Sequence, residues 1–423
     1  MLSVEQNERL TRVGPGTPGG ELLRRYWYPI ATAQDMKEKP TKAITILGEH
    51  LTLFKDKQGR LGLIAQRCPH RNVDLRYGFP ENEGLRCPYH GWLFDTTGQC
   101  VETPGEWEHA STFAAKVKIN SYPVEELGGL IFAYLGPAPA PQLPRWQLFV
   151  EPNAYRMIGS SIVKANWLQC QENSVDTVHL EWDHGAWGLY ALEEKGITDE
   201  RRWKEFRRAM RHHLKVDYKP YEHGIMKYRL QEGDDEKTSS NWNHGHPLIF
   251  PNMVSIGRRG EQEFQIRVPL DDETTWHIVY HIYTPGADVE VPVQDPVPVF
   301  EVPVVELPEW ILQQDLIVWE AQDPITDRSV EMLGETDKGL IMYRKMLDEQ
   351  IKVVEDGGEP MNVFREPHDV LRVEIEDYGD MSDYKPGDAI YGNTGTVSGP
   401  VIYEVDALLT RARDAALARR AGK

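Results

Sequence analysis

Cysteine is scarce in this chain, with four residues among 423. That number excludes a disulfide framework and fits a reducing, cytoplasmic setting. Long apolar runs are missing too, and no segment is long enough to cross a bilayer. The first residues, Met-Leu-Ser-Val-Glu-Gln-Asn-Glu, carry neither a basic region nor an apolar stretch, so no secretion signal is expected. Positive charge is in deficit: 47 Lys and Arg face 66 Asp and Glu, a net charge of −19. Nucleic acid and anionic membranes are therefore poor partners. No internal repeat or low-complexity segment is present. The length exceeds one ordinary core, so two domains are expected.

What stands out against this background is a pair of short motifs. Cys68-Pro-His70 is followed, sixteen residues on, by Cys87-Pro-Tyr-His90. Each loop supplies one Cys and one His. Two thiolates on one iron and two imidazoles on the other make the Rieske form of a [2Fe–2S] cluster. A structural zinc site also takes two Cys and two His, but zinc fingers usually pair Cys with Cys and His with His. Pro69 and Pro88 stiffen the loops, Gly91 lets the chain turn after the last ligand, and Trp92 and Phe94 are placed to shield a cluster.

Residues 1–42 read as a helical segment that packs on the C-terminal domain, with Pro18 starting a helix and Pro29 ending it. Residues 43–145 alternate in short apolar runs such as Ala43–Leu47, Leu51–Phe54, Leu61–Ala65 and Leu130–Leu135, the pattern of a small all-β domain. A Pro-rich exit around Pro137, Pro139, Pro141 and Pro144 leads into residues 146–423. There strands are expected at Met226–Leu230, Glu263–Val268 and Thr275–Tyr283. Helices are expected near 308–322, 337–355 and 404–421, with a polar helical insertion near 190–235. The fold class is α+β: an antiparallel sheet with helices packed on one side.

A second site lies in Asn173-Ser-Val-Asp176-Thr-Val-His179-Leu-Glu-Trp-Asp-His184. Residues 166–184 read as a helix that begins to unwind after His179, letting both imidazoles reach one ion. Two His and one carboxylate on one face of Fe(II) leave positions open for O₂ and water. The spacing does not say which Asp or Glu is the third ligand. Asp176 sits one helical turn before His179 and can accept its other ring N–H. Substrate contacts are weaker candidates. Asn173 opens the motif, His277 and His281 share a strand face, and His244 and His246 sit in a polar loop. Arg207 and Arg211 belong to a basic stretch, Arg201–His213, that suits a substrate carboxylate. For each of these a core or solvated position is the plainer alternative.

The cluster motif resembles the Rieske domain of ring-hydroxylating oxygenases, with their C-P-H and C-x-x-H-G-W signatures. The second motif resembles the N-x-x-D-x-x-H-x(4)-H segment of the same family. The segment Leu10–Pro18 and Asp327-Arg328-Ser-Val-Glu331-Met-Leu-Gly334 extend the likeness over nearly the whole chain, closest to the phthalate-dioxygenase type, whose members lack a β subunit. The resemblance implies a Rieske domain joined to an α+β catalytic domain built around a mononuclear iron. It points to Asp315 as the third iron ligand, ahead of Asp323 and Asp327. It implies that Asp176 bridges His179 to a cluster histidine of a neighbouring subunit, by position His90, in a head-to-tail homotrimer or a multiple of one. NAD(P)H electrons would arrive through a separate reductase or ferredoxin, with O₂ as cosubstrate. The leading expectation is O-demethylation of a methoxylated, lignin-derived biaryl aromatic acid with formaldehyde release. The alternative is cis-dihydroxylation of an aromatic carboxylate. An electron carrier using the cluster alone and a zinc-stabilised binding module are the readings from other classes.

Overall fold

The computed structural model describes residues 1–258, 260–373, 381–387 and 400–421. Short strands dominate its first third. Thr41–Ile46, Glu49–Lys55, Leu61–Ala65 and Ser121–Tyr122 form one four-stranded antiparallel sheet. Phe79–Glu81, Gly84–Arg86, Leu93–Phe94 and Cys100–Glu102 form another. The two Cys-His loops project from these sheets, and Cys68, Cys87, Leu75, Leu85 and Phe94 share the small core between them.

The N-terminal segment is not purely helical. Helices Val4–Thr11 and Pro18–Leu23 are followed by the strand Trp27–Thr32, which pairs with Leu130–Tyr134. Pro29 thus lies inside a strand, at a register shift, rather than ending a helix. The missing N–H of proline is tolerated at such an irregularity. The two helices pack on the later part of the chain, where Arg9 reaches Asp348 and Glu355.

The larger sheet has eight strands in the order His213–Tyr221, Gly224–Gln231, His246–Ile249, Met253–Arg258, Glu261–Pro269, Thr275–Tyr283, Tyr155–Val163 and Val299–Glu301. Every pairing is antiparallel except the last. Strand alternation gives the sheet two unlike faces. Phe264, Ile278 and Tyr280 share a core with Phe132 and Phe149, and the Tyr280 hydroxyl donates to the Gly128 carbonyl at 2.7 Å. The opposite face carries Glu263, Gln265 and Arg267, and over it lie the helices Trp167–Val175 and Ile311–Glu320. Helix Lys338–Glu355 closes one side. The expected insertion is helical only through Gly188–Glu194 and Glu200–Ala209. From His213 onward the chain becomes two paired strands of the large sheet, His213–Tyr221 at its edge and Gly224–Gln231 largely buried behind it.

Candidate metal centres and the cavity between sheet and helices

The two Cys-His loops are the same turn made twice. The Cys68 N–H donates to the Val73 carbonyl and the Asn72 N–H returns to the Cys68 carbonyl, both at 2.9 Å. Likewise the Cys87 N–H donates to Trp92 at 2.8 Å and the Gly91 N–H to Cys87 at 3.1 Å. The fifth residue of each turn is left-handed, Asn72 at φ 59° and Gly91 at φ 75°, a conformation these two residue types tolerate best. Both sulfurs are buried, unbridged and adjacent, while the imidazoles of His70 and His90 stand at the outer tips, 4.3 Å apart. Trp92 stacks flat against His70 at 4.6 Å. Two soft donors inside and two imidazoles outside are the donor set that an unequal two-iron cluster requires.

At the second motif the helix does not run through. It stops at Val175, Asp176 is extended at ψ 134°, and a π-helical segment, Leu180–Trp187, follows His179. The i→i+5 register of such a segment aligns residues five apart, which an α-helix would splay by about 140°. His179 and His184 therefore turn toward one point, and Asp315 meets them there from helix Ile311–Glu320. The three donor atoms lie within 4.8 Å of one another. Asp315 Oδ1 is 3.4 Å from His184 Nε2 and 3.9 Å from His179 Nε2. Asp323 and Asp327 are not part of this group. Gln314 Oε1 stands 3.0 Å from His184 Nδ1, and Asn173 donates to Asp315 at 3.2 Å.

Asp176 Oδ2 lies 3.5 Å from His179 Nδ1, too long for a good hydrogen bond, because the helical turn expected between them is broken. Burial opposes its charge, yet His179 and the Val178 N–H hold the Asp176 carboxyl at about 2. His179 is raised: burial works against its cationic form, and Asp176 and Asp315 outweigh it. Burial, with the Asp315 charge next, pushes the neighbouring Asp183 up to about 7.

These donors open into a cavity of about 480 Å³. Its floor is the polar face of the large sheet, and the helix Glu200–Ala209 supplies its rim. Among the substrate candidates, Asn173, His246 and Arg211 line it. Arg211 is already held by Asp234 at 2.6 Å, and His246 by Asn241 at 2.8 Å. Arg207 is exposed and pairs with Glu200, and His244 is exposed at the end of the short helix Ser240–Asn243; neither lines the cavity. His277 and His281 are on the cavity side of the sheet but covered. His277 lies under Trp319 at 5.0 Å, and His281 sits 3.2 Å from Glu263.

Lys227, Arg229 and Arg267 are the wall residues that sequence reasoning missed. Burial foremost, and then Arg229, brings Lys227 down to about 7, while its amine donates to the Ser174 carbonyl. Burial, followed by Arg208 and Arg211, brings Arg229 to about 10. The signal was present: Lys227, Arg229 and Gln231 alternate along one strand, as do Glu263, Gln265 and Arg267 along another.

The Rieske [2Fe-2S] domain family matches residues 26–123. The 5,5'-dehydrodivanillate O-demethylase oxygenase subunit of Sphingobium sp. (strain NBRC 103272 / SYK-6) is 40% identical over 374 residues, 87% of this chain and 84% of that protein. The chain belongs to the Rieske oxygenase family. The phenoxybenzoate dioxygenase subunit alpha of Ectopseudomonas oleovorans is 30% identical across 89% of this chain and 92% of its own. In fold, the oxygenase resembles the structure described as the reduced complex between oxygenase and ferredoxin in carbazole 1,9a-dioxygenase, with TM-score 0.59 and 18% identity over 87% of this chain and all of that one. The Rieske oxygenase is thus a terminal oxygenase component that works with a [2Fe–2S] cluster and a mononuclear iron. Among the described residues, no helix is long and apolar enough to cross a membrane.

Proposed function

We propose that this oxygenase removes a methyl group from a methoxylated aromatic acid of biaryl, lignin-derived kind. In this reading Cys68, His70, Cys87 and His90 hold the cluster, and His179, His184 and Asp315 hold the iron. The observation that carries it is the three-donor set opening on a polar cavity, in a chain 40% identical to an O-demethylase subunit.

The metals supply one-electron transfer and the reductive activation of O₂. The protein does the rest. Gln314 fixes the His184 ring and Asn173 steadies Asp315, so that the donors stay on one side and the cavity side stays open. The enclosing sheet and helices hold the aryl methyl group at the open side and keep bulk water out. One oxygen atom enters a methyl C–H bond and the other leaves as water, with two electrons drawn from NAD(P)H through a reductase or ferredoxin. The resulting hemiacetal collapses to a phenol and formaldehyde. Asp176, whose side chain is 31% exposed beside His179, is the bridge to His90 of a neighbouring copy in a head-to-tail homotrimer.

A second reading, cis-dihydroxylation of an aromatic carboxylate, draws on the 30% identical phenoxybenzoate dioxygenase subunit. The test is oxygen uptake with reductase and NADH across methoxylated and unmethoxylated aromatic acids. Demethylation requires formaldehyde in step with NADH consumed. Coupled uptake without formaldehyde would transfer the assignment to dihydroxylation, and no coupled uptake with any aromatic acid would remove both.

A further inference from the structure

Six carboxylates and five Lys or Arg side chains line the cavity, so its overall charge does not say what it binds. Their individual engagements do. Asp176 and Asp315 belong to the iron end, Asp234 is held by Arg211, and Glu205, Glu261 and Glu263 each have a partner. On the cationic side, Lys227 donates to the Ser174 carbonyl and is balanced by Asp176 and Asp315. Arg211 has Asp234. Arg267 donates to the Gln265 side chain at 2.8 Å and lies over the Trp319 ring.

Arg229 is the exception. It makes no hydrogen bond or ion pair among the described residues, and its Nε is sealed from solvent without a partner. Arg208 and Arg211 repel it, and the attraction of Asp234, which is itself bonded to Arg211, is the smaller effect. Leaving a guanidinium inside a protein without a directly bonded anion is costly. Its two strand neighbours on the same face, Lys227 and Gln231, are satisfied. Arg229 lies two residues along the same strand face from Lys227, roughly 7 Å away, and lines the same cavity as His184 and Asp315.

We propose that Arg229 is the receptor for the carboxylate of the substrate, and that it selects aromatic anions over their neutral analogues. This rests on the aromatic-acid reading above. The planar fork of Arg229 takes a carboxylate through two parallel N–H···O bonds and so fixes the ring's orientation as well as its presence. Arg208, exposed on the rim helix, adds attraction at the mouth but no fixed geometry.

The experiment uses the anaerobic, reduced holoenzyme and two probes, a methoxybenzoate and the matching methoxybenzamide, with dissociation constants from equilibrium dialysis. Wild type should prefer the acid. Arg229→Met should weaken the acid by about ten- to hundredfold and leave the amide unchanged. Arg229→Lys, which keeps the charge and loses the fork, should fall between. Iron content and the cluster spectrum report whether each variant is intact. Equal loss of acid and amide in both variants, or a wild type that does not prefer the acid, overturns the proposal. Formaldehyde release is scored separately. An acid that binds through Arg229 yet yields no formaldehyde leaves the receptor standing and removes demethylation, whereas formaldehyde release insensitive to Arg229 does the reverse.

Discussion

Glu172 lies buried between two guanidinium groups, with Arg328 Nη2 at 2.7 Å and Arg344 Nε at 2.6 Å. Burial opposes its ionisation, and the two arginines more than compensate, so its folded-state pKa is lowered. Glu172 sits one residue before Asn173, the residue that holds Asp315, so this ion triad anchors the helix that carries the iron site. Arg344 keeps Glu331 at 2.6 Å, so Glu172→Gln would strand chiefly the fully buried Arg328, at a cost of about 3–5 kcal/mol, seen as a drop in melting temperature. The sign with pH follows from the lowered pKa. The Glu172 contribution is complete above its unfolded-state value and disappears as pH falls through the folded-state value. The gap between wild type and Glu172→Gln should therefore narrow on acidification, and a constant gap would show that the carboxylate charge is not what stabilises the helix. Residues of this kind differ in how well sequence announces them. Cys68, His70, Cys87 and His90 were legible because short loops bring their donors together by covalent spacing alone. Arg229 was not, because a polar residue alternating along a strand reads as solvent-facing until the insertion and two helices are seen to cover that face.

The iron histidines depend on an element that sequence could not specify. Their five-residue spacing suggested a helix coming undone. The structure resolves the same geometric demand with a π-helical segment. Hydrophobic periodicity has no signature for a π register over eight residues, so only the two histidines and an unwinding after His179 could be read, and the break at Asp176 was not. What holds the wide turn in place is its packing on the rim helix. A Cβ at Gly185 would fall on the Met210 backbone, and one at Gly188 would lie 2.5 Å from the Phe206 ring. Gly185→Ala must push the segment and the rim helix apart, with an overpacking cost of about 1–3 kcal/mol. The expected result is an enzyme with its cluster spectrum intact but reduced iron occupancy and activity. Normal iron content in this variant would show that the π segment tolerates displacement. His184→Ala should give the same split more completely, losing iron while keeping the cluster. The strands and long helices were easier to read. Thr275–Tyr283 and Lys338–Glu355 emerged nearly at their sequence-expected limits because each is long and strongly patterned.

At the scale of the whole molecule, the Cys-His loops project from the two small sheets while His179, His184 and Asp315 sit on helical segments over the large one, and the proposed route between them runs through side chains that face outward. His70 and Tyr89 stand exposed at the tips of the cluster loops, and Asp176 is partly exposed beside His179. If electrons pass between subunits, a chain lacking its cluster and a chain lacking its iron should each be inactive alone and active together. On the proposed assignment, Cys87→Ser removes a cluster donor and Asp315→Ala removes an iron donor. In a closed ring of randomly mixed subunits, a productive junction needs an intact cluster on one chain and an intact iron site on the next. With equal mixing about a quarter of junctions meet both conditions, so co-expressed hybrids should recover about a quarter of wild-type turnover. If transfer is confined to one chain, no hybrid junction is productive, because every chain lacks one of the two metals. Hybrids that assemble to the wild-type size, retain both metals in half measure and remain inactive would therefore eliminate the inter-subunit route and, with it, the bridging role of Asp176.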